Sequence, residues 1–168
     1  LEHINFYGSP ANDRMQGDRG DDAIWGRAGN DRIEGGQGND ALVGGDGDDI
    51  ITDIFGIDTV LGGAGNDSIF VGGGAGDLVL AGSGKDYVNA GTDAKETFAG
   101  LGDDFILGSS GDDAIEGNRG DYWIEGRAGA DGLNGDNVNP FDNDPHGGHD
   151  VLNGNDGNTG YVGDGGDG

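Results

Sequence analysis

Aspartates recur at every ninth residue along most of the chain, and their carboxylates are its most prominent chemical groups. The series runs from Asp13 to Asp67 without a miss, continues after a shift of one residue near Val71, and resumes after a second insertion. Carboxylate oxygens are hard ligands, of which Ca²⁺ takes about six to eight. The pattern therefore predicts a series of calcium sites. Its members, called the ladder aspartates below, are Asp13, Asp22, Asp31, Asp40, Asp49, Asp58, Asp67, Asp77, Asp86, Asp104, Asp113, Asp131 and Asp150.

Glycines and apolar residues repeat in phase with the ladder aspartates. Glycine stands two residues before most of them, and a branched or long apolar residue stands two residues after. The unit is G-G-x-G-x-D-x-U-x with U apolar, and residues 35–43 and 62–70 match it in full. Glycine-rich turns that alternate with short strands predict an all-β fold, a parallel β-roll with two nonapeptides in each coil. The expected inward residues are Met15, Ile24, Ile33, Leu42, Ile51, Val60, Ile69, Val79, Val88, Ile106, Ile115, Ile124, Leu133 and Leu152.

The composition excludes several classes of protein. With 41 glycines, 3 prolines and only 32% hydrophobic residues among 168, the chain would by composition alone be disordered, but an apolar column in phase with the aspartates argues against disorder. The net charge of −25 argues against nucleic acid and anionic membranes as partners and favours cations. Cysteine is absent, which excludes thiolate metal sites, and no apolar run has the length of a membrane span.

A coil of 18 residues brings each ladder aspartate beside the one 18 positions later, because parallel strands lie about 4.8 Å apart. Ten calcium ions between such pairs would change the net charge from −25 to about −5. Without metal the like charges repel, so we expect folding to depend on calcium. The predicted pairs are Asp13/Asp31, Asp31/Asp49, Asp49/Asp67, Asp67/Asp86 and Asp86/Asp104 in one column of turns. In the other they are Asp22/Asp40, Asp40/Asp58, Asp58/Asp77, Asp113/Asp131 and Asp131/Asp150.

The repeats resemble the RTX (repeats-in-toxin, or hemolysin-type) calcium-binding region of bacterial proteins exported by type I secretion. More narrowly, Trp123-Ile124-Glu125-Gly126 and the stretch from Gly148 to Val151 resemble RTX regions attached to bacterial animal-type haem peroxidases, including manganese-oxidising ones. The resemblance implies a secreted protein whose partners are calcium, the type I secretion machinery and neighbouring domains of a larger chain. The haem-ligating and catalytic residues of such peroxidases have no counterpart in this sequence.

The same resemblance implies which backbone carbonyls join the carboxylates. In each site the upper turn would give the carbonyls of its second and fourth residues, and the lower turn those of its first and third. Gly45, Gly47 and Asp49 would thus share an ion with Gly62, Ala64 and Asp67. The carbonyl donors so implied are Ser9, Ala11, Asp18, Gly20, Gly26, Arg27, Ala28, Gly29, Gly35, Gly36, Gln37, Gly38, Gly44, Gly45, Asp46, Gly47, Asp53, Ile54, Phe55, Gly56, Gly62, Gly63, Ala64, Gly65, Gly72, Gly74, Ala81, Gly82, Ser83, Gly84, Ala99, Leu101, Ser109, Gly111, Gly126, Arg127, Ala128, Gly129 and Gly147.

The repeat breaks where Lys95, Tyr122 and Thr159 occupy slots of the ladder. Calcium sites beside these breaks should be missing or incomplete, with Asp93 or Phe98 as local substitutes near Lys95. We expect one β-roll over residues 1–168, with a lead-in strand at 1–7, regular repeats at 8–134, an inserted loop at 135–144 and degenerate repeats at 145–168. Because the last repeat stops midway, we expect a fragment of a larger secreted protein.

Other functions are weighed against a non-catalytic calcium module for folding and secretion. The alternatives are an adhesin, ice-binding or carbohydrate-binding solenoid, but the third turn position has no rank of threonines for ice. His146 and His149 could suggest a transition metal, although polar turn residues beside Asp150 explain them as well. Trp25, Tyr122 and Trp123 are either packing residues or a partner surface. The sequence contains no recognisable catalytic constellation.

Overall fold

The computed structural model describes residues 3–136 and 151–154, and these form two parallel sheets of eight strands each. Odd-numbered strands make one sheet in the order β1 to β15, and even-numbered strands make the other from β2 to β16. The strands are β1 Asn5–Tyr7, β2 Arg14–Gln16, β3 Ala23–Ala28, β4 Arg32–Glu34, β5 Ala41–Asp46, β6 Ile50–Phe55, β7 Thr59–Ala64, β8 Ser68–Gly73, β9 Asp77–Ser83, β10 Tyr87–Asn89, β11 Lys95–Leu101, β12 Phe105–Leu107, β13 Ala114–Arg119, β14 Trp123–Glu125, β15 Gly132–Asp136 and β16 Val151–Asn153.

Each coil buries the two apolar residues that follow its turns, one on each of its two strands. In β3, β5 and β7 the inward residues are Ile24, Leu42 and Val60, which are aligned by the strand pairing and fully buried. Their sequence neighbours point outward because side chains alternate along a strand. The core is therefore two stacked rows of aliphatic side chains, and the predicted inward residues all lie in it, with Leu152 partly buried against it. The prediction of a parallel β-roll is confirmed.

The register confirms the coil length and corrects the position of the first insertion. Strands β4, β6 and β8 pair at a spacing of 18, and Phe55 still pairs with Gly73. The spacing becomes 19 where the backbone N–H of Asp58 reaches Asp77. The extra residue thus lies in the turn at 75–76 and not near Val71, since an insertion within paired strands would break their hydrogen bonds.

This shift changes two predicted donors. Val71 and Gly73 occupy the first and third positions of their turn, because they pair with Asp53 and Phe55. The sequence pattern predicts Gly72 and Gly74 at these two positions, one residue later, and which of these carbonyls binds an ion stays a prediction. The Gly73 carbonyl accepts the N–H of Gly56 at 3.4 Å, as expected of a third position.

The breaks in the repeat are accommodated without loss of the β-roll. Thr97 is buried in the apolar row of its sheet, and Lys95 and Tyr122 are buried as well. Strand β15 extends to Asp136, so the first two residues of the predicted loop are strand. The rest of that loop, His146, Gly147, His149, Asp150 and Thr159 lie outside the described residues. No helix in the described part of the chain is long and apolar enough to cross a membrane.

Candidate metal centre

The turns between the two sheets stack in two columns, and the space between successive turns of a column is called an interval below. Turns 8–13, 26–31, 44–49, 62–67, 81–86, 99–104 and 117–122 form the first column. Turns 17–22, 35–40, 53–58, 71–77, 90–95, 108–113 and 126–131 form the second. Every turn ends on a residue of the ladder or on one of its replacements.

A repeated hydrogen bond joins the ladder aspartates of each column. The backbone N–H of Asp31 donates to Oδ1 of Asp49 at 2.7 Å, and that of Asp49 donates to Oδ1 of Asp67 at 2.8 Å. The same bond links the other predicted pairs except Asp131/Asp150, whose second member lies outside the described residues. The structure therefore brings the predicted pairs together, while their role as metal ligands stays a prediction.

The second carboxylate oxygen of most ladder aspartates is buried without a hydrogen-bond partner. Buried polar atoms are nearly always paired, because an unpaired one forgoes its hydration. A row of such oxygens therefore fits bound cations. The ladder residues whose Oδ2 is in this state are Asp31, Asp40, Asp49, Asp67, Asp86, Asp104 and Asp131, whereas Oδ2 of Asp77 faces the ammonium group of Lys95.

Backbone carbonyls of both turns also face the interval. Between turns 26–31 and 44–49, the Arg27 carbonyl oxygen lies against Gly45, and the Gly44 carbonyl oxygen lies against Gly26. A side chain at Gly26 would overlap both that carbonyl and Oδ2 of Asp31. The first-position glycine thus keeps open a cradle of oxygens, arranged as the family resemblance implies.

Burial and the charge of neighbouring acids raise the pKa of nine ladder carboxyls. Loss of hydration, followed by the charge of neighbouring aspartates, raises the pKa of Asp49, Asp67 and Asp86 to about 6. Burial raises the pKa of Asp58 and Asp104 to about 6 as well. Burial also raises the pKa of Asp31, Asp40, Asp113 and Asp131 above the ordinary value. A divalent cation in the interval would offset the cost of keeping these groups charged.

Three turns close on their own aspartate instead. Ser9 and Ser109 donate backbone N–H groups at 2.6 Å to Oδ2 of Asp13 and Asp113, and Asp18 donates one at 2.9 Å to Oδ2 of Asp22. Most turns with a glycine at the second position have left-handed backbone there, Gly72 being the exception, and Arg27 and Arg127 adopt it too, with φ of 84° and 69°. The second residue thus decides whether Oδ2 is free for an ion. This difference was not foreseen from the sequence, although a second residue other than glycine marks all three closed turns.

Lys95 places an ammonium group in the second column. Its side chain is fully buried, and Nζ lies 2.8 Å from Oδ2 of Asp77. Nζ also donates to the Gly74 carbonyl at 2.5 Å. Its backbone N–H continues the ladder by donating to Oδ1 of Asp113 at 2.9 Å. The chain's own cation thus contacts the kinds of oxygen expected around calcium, and neither Asp93 nor Phe98 takes this slot.

Aromatic residues take two different roles. Tyr122 is buried in the ladder slot with its ring against Gly117, which supports the packing interpretation for this residue. Trp25 is half-buried and stacks on Tyr7, with ring centroids 4.6 Å apart. Trp123 is 43% exposed on the outer face of its sheet.

Asp53 adds a carboxylate that the sequence reasoning missed. Oxygens of Asp40, Asp53 and Asp58 all lie within 4.8 Å of one another, and all three residues are buried. Burial, followed by the charges of Asp58 and Asp40, raises the pKa of Asp53 to about 8. Only the Asp53 carbonyl was predicted as a ligand. The available signal was an acid in the first turn position, where Gly35, Gly44 and Gly62 stand in nearby turns.

Comparison with known proteins gives one result for the repeats. The model of the RTX calcium-binding nonapeptide repeat (4 copies) matches residues 7–42, 35–53, 43–78, 54–88, 70–94 and 98–124. These segments together span more than half of the chain. No curated protein matches the chain.

Proposed function

Because the chain belongs to the RTX calcium-binding nonapeptide repeat family, we propose that it is a module that folds when calcium fills its intervals. The main support is the row of buried Oδ2 atoms without hydrogen-bond partners, which faces carbonyl oxygens from the adjacent turns. Carboxylate and carbonyl oxygens suit Ca²⁺, which tolerates irregular cages, better than Mg²⁺, which needs a small octahedron. The proposal assigns no catalytic role to these residues.

The negative charge of the chain gives a physical reason for folding that depends on calcium, which is called the calcium switch below. The chain carries a net charge of −25, and the ladder holds buried carboxylates side by side. Ions that bind only the folded state stabilise it by RT ln(1 + [Ca²⁺]/Kd) at each site, so several sites give a steep transition. About ten ions, the number predicted from the pairs, would neutralise most of the charge.

We place this switch at export. Calcium is scarce inside cells and abundant outside, so the chain would remain unfolded during type I secretion and fold in the extracellular medium. The folded β-roll would then stabilise the neighbouring domains of a larger protein. The narrower sequence resemblance makes a haem peroxidase our candidate for that protein, which sequencing the flanking regions of its gene would test.

Circular dichroism during a calcium titration tests the proposal. The chain with chelator should be largely disordered and should gain β signal cooperatively as Ca²⁺ rises, whereas equal Mg²⁺ should produce much less. Equal β content in chelator and in calcium would contradict the proposal.

One observation favours carbohydrate binding as a second function. Phe70, Tyr87, Phe105 and Trp123 form a ladder of rings on the outer face of the even-numbered sheet. Centroid distances are 5.6 to 6.1 Å, and the last three rings are nearly parallel. A row of exposed and half-buried rings suits the apolar faces of sugar residues in a neutral polysaccharide, whereas an acidic polysaccharide would be repelled by the net charge.

Co-sedimentation with cellulose and chitin in calcium tests this second function. The native chain should pellet with one of them, and Phe105→Ala with Trp123→Ala should abolish pelleting while leaving calcium-induced β structure intact. Trp25→Ala, on the other sheet, is the control. Equal pelleting of all three chains would argue against a carbohydrate surface.

A further inference from the structure

Asp53 occupies a position that the nonapeptide reserves for glycine. It is the first residue of turn 53–58, and its strand β6 pairs in register with β4 and β8. The side chain is only 1% exposed. An acid has therefore been introduced into the column without disturbing the strand register, although the second residue of this turn, Ile54, lacks the left-handed backbone of turns such as 44–49.

The Asp53 carboxylate occupies a space that elsewhere belongs to a backbone carbonyl. In front of Gly17 and Gly26 the nearest oxygens are Oδ2 of the turn's own aspartate and the first-position carbonyl of the next turn. In front of Gly35 they are Oδ2 of Asp40 and Oδ2 of Asp53. The side chain thus reaches into the interval between turns 35–40 and 53–58.

Neither of these oxygens receives a hydrogen bond from an N–H or hydroxyl group of the described residues. Oδ2 of Asp40 and Oδ2 of Asp53 are buried and face each other, while Oδ1 of Asp58 accepts the N–H of Asp40 at 2.8 Å. The two carboxyls are close enough to share a proton when no cation is bound. Buried oxygens without a donor indicate a ligand and not a solvated acidic patch.

The charge balance of the interval is also different. Each ladder aspartate is shared between two intervals, because Oδ1 faces the preceding turn and Oδ2 faces the cradle of its own turn. An ordinary interval therefore offers a divalent ion the equivalent of about one negative charge. With Asp53 the interval offers two, which matches Ca²⁺.

We propose that the Asp53 side chain is a third carboxylate ligand of the ion held by Asp40 and Asp58, and that this interval is the tightest cation site of the β-roll. The inference rests on the proposed function, in which the intervals bind calcium. Calcium affinity in proteins rises with the number of charged ligands, so this site should fill first and order the second column around it.

The test compares two variants with one matched control. Asp53→Asn keeps the size of the side chain, and Asp53→Gly restores the residue found at the first position of the adjacent repeats. Asp48→Asn removes an exposed charge from the same coil, at a position where Asn30 and Asn66 stand in the neighbouring coils. Equilibrium dialysis with metal analysis gives the number of bound ions and their affinities for each chain.

The native chain and Asp48→Asn should hold one calcium ion about tenfold more tightly than the rest, and both Asp53 variants should lose that ion's advantage. Tb³⁺, a trivalent ion of similar size, provides a second measurement. Because Coulomb energy scales with the charge of the ion, the loss in log affinity should be about one and a half times larger for Tb³⁺ than for Ca²⁺.

Two outcomes would overturn the inference while leaving the proposed function intact. If Asp53→Asn and the native chain bind their first ion equally well, Asp53 shares a proton with Asp40 instead of binding metal. If either Asp53 variant binds calcium more tightly, the carboxyl group obstructs the site. A native chain that neither folds with nor binds calcium would refute the proposed function itself, and with it this inference.

Discussion

Two intervals of the second column differ in the charged side chains that they bury. Between turns 35–40 and 53–58 three acids converge, because Asp53 joins Asp40 and Asp58. Between turns 71–77 and 90–95 a buried lysine stands opposite Asp77, so the chain supplies its own cation. The strands on either side pair in parallel in both places, although turn 71–77 is one residue longer than the others.

The difference shows that the need for a positive charge varies from interval to interval. A buried carboxylate facing carbonyl oxygens needs a positive charge, but the fold does not specify where that charge comes from. Lys95 supplies one from the chain itself, whereas Asp53 adds a further negative charge to its interval. Under the proposed function, one or two side chains in each turn would therefore determine how strongly that turn depends on calcium.

Replacing the buried Lys95 should have the largest effect on the free energy of unfolding. Lys95→Met leaves Asp77 buried without its partner, and breaking a buried ion pair in this way costs about 3 to 5 kcal/mol. Urea unfolding at saturating calcium should show a loss of this size. Lys85→Met is the control, because the Lys85–Asp103 pair is exposed to solvent, which screens it and leaves it little net effect on stability. Equal losses for the two variants would mean that Lys95 is not acting as a buried cation.

Removing a shared carboxylate from the first column should have the next largest effect. Asp49 takes part in the pairs with Asp31 and Asp67, so Asp49→Asn should remove up to two calcium ions and about 2 to 3 kcal/mol of unfolding free energy. Dialysis and urea unfolding measure the two quantities. Asp121→Asn, outside the ladder, should change neither, and indistinguishable behaviour of the two variants would show that the ladder register is wrong.

Replacing Lys95 by an aspartate should change the number of bound calcium ions more than the free energy of unfolding. Lys95→Asp restores the ladder between Asp77 and Asp113 and should add up to two calcium ions by dialysis. Stability at saturating calcium should change by about 1 kcal/mol or less, but the calcium midpoint of folding should rise, because one more repulsive group must be offset. An unchanged ion count would refute the equivalence of ammonium and calcium in this slot.

Acidification should have the smallest effect, a modest loss of calcium affinity at each site. Burial raises the pKa of Asp49, Asp67 and Asp86 from 3.8 to about 6 in the calcium-free fold. Protonation therefore stabilises that fold fully below about pH 4, and the stabilisation is lost as the pH rises through 6. Calcium binds the deprotonated form, so its affinity should fall about twofold per site between pH 7.5 and 6. A calcium titration followed by circular dichroism at both pH values measures the shift, and tighter binding at pH 6 would contradict these pKa values.

Much of the architecture follows from spacing alone. A period of nine with an apolar residue two positions after Asp fixes which side chains point inward, and Ile24, Leu42 and Val60 occupy that row as expected. The pairing of Asp31 with Asp49 also follows, since two nonapeptides make one coil. Local periodicity is enough here because each coil packs only on its two neighbours.

Where the sequence departs from the repeat, spacing alone did not predict the structure correctly. The extra residue was placed near Val71, but the paired strands β6 and β8 move it to the turn at 75–76, where no ladder hydrogen bond is lost. Whether Oδ2 of a ladder aspartate is free depends on the backbone of the second turn residue, which closes the turn at Ser9 and leaves it open at Arg27.

The sequence by itself determined the repeat, the coil and the aspartate pairs, because these depend on periodicity and on the chemistry of single residue types. Only the tertiary structure decided that Lys95 stands in for a cation and that the Asp53 side chain turns inward toward Asp40. Asp40 precedes Asp53 by 13 residues and Asp77 precedes Lys95 by 18, and in each case the two residues lie in successive turns of one column. Their position follows from how the coils stack, which the identity of the residue alone does not reveal.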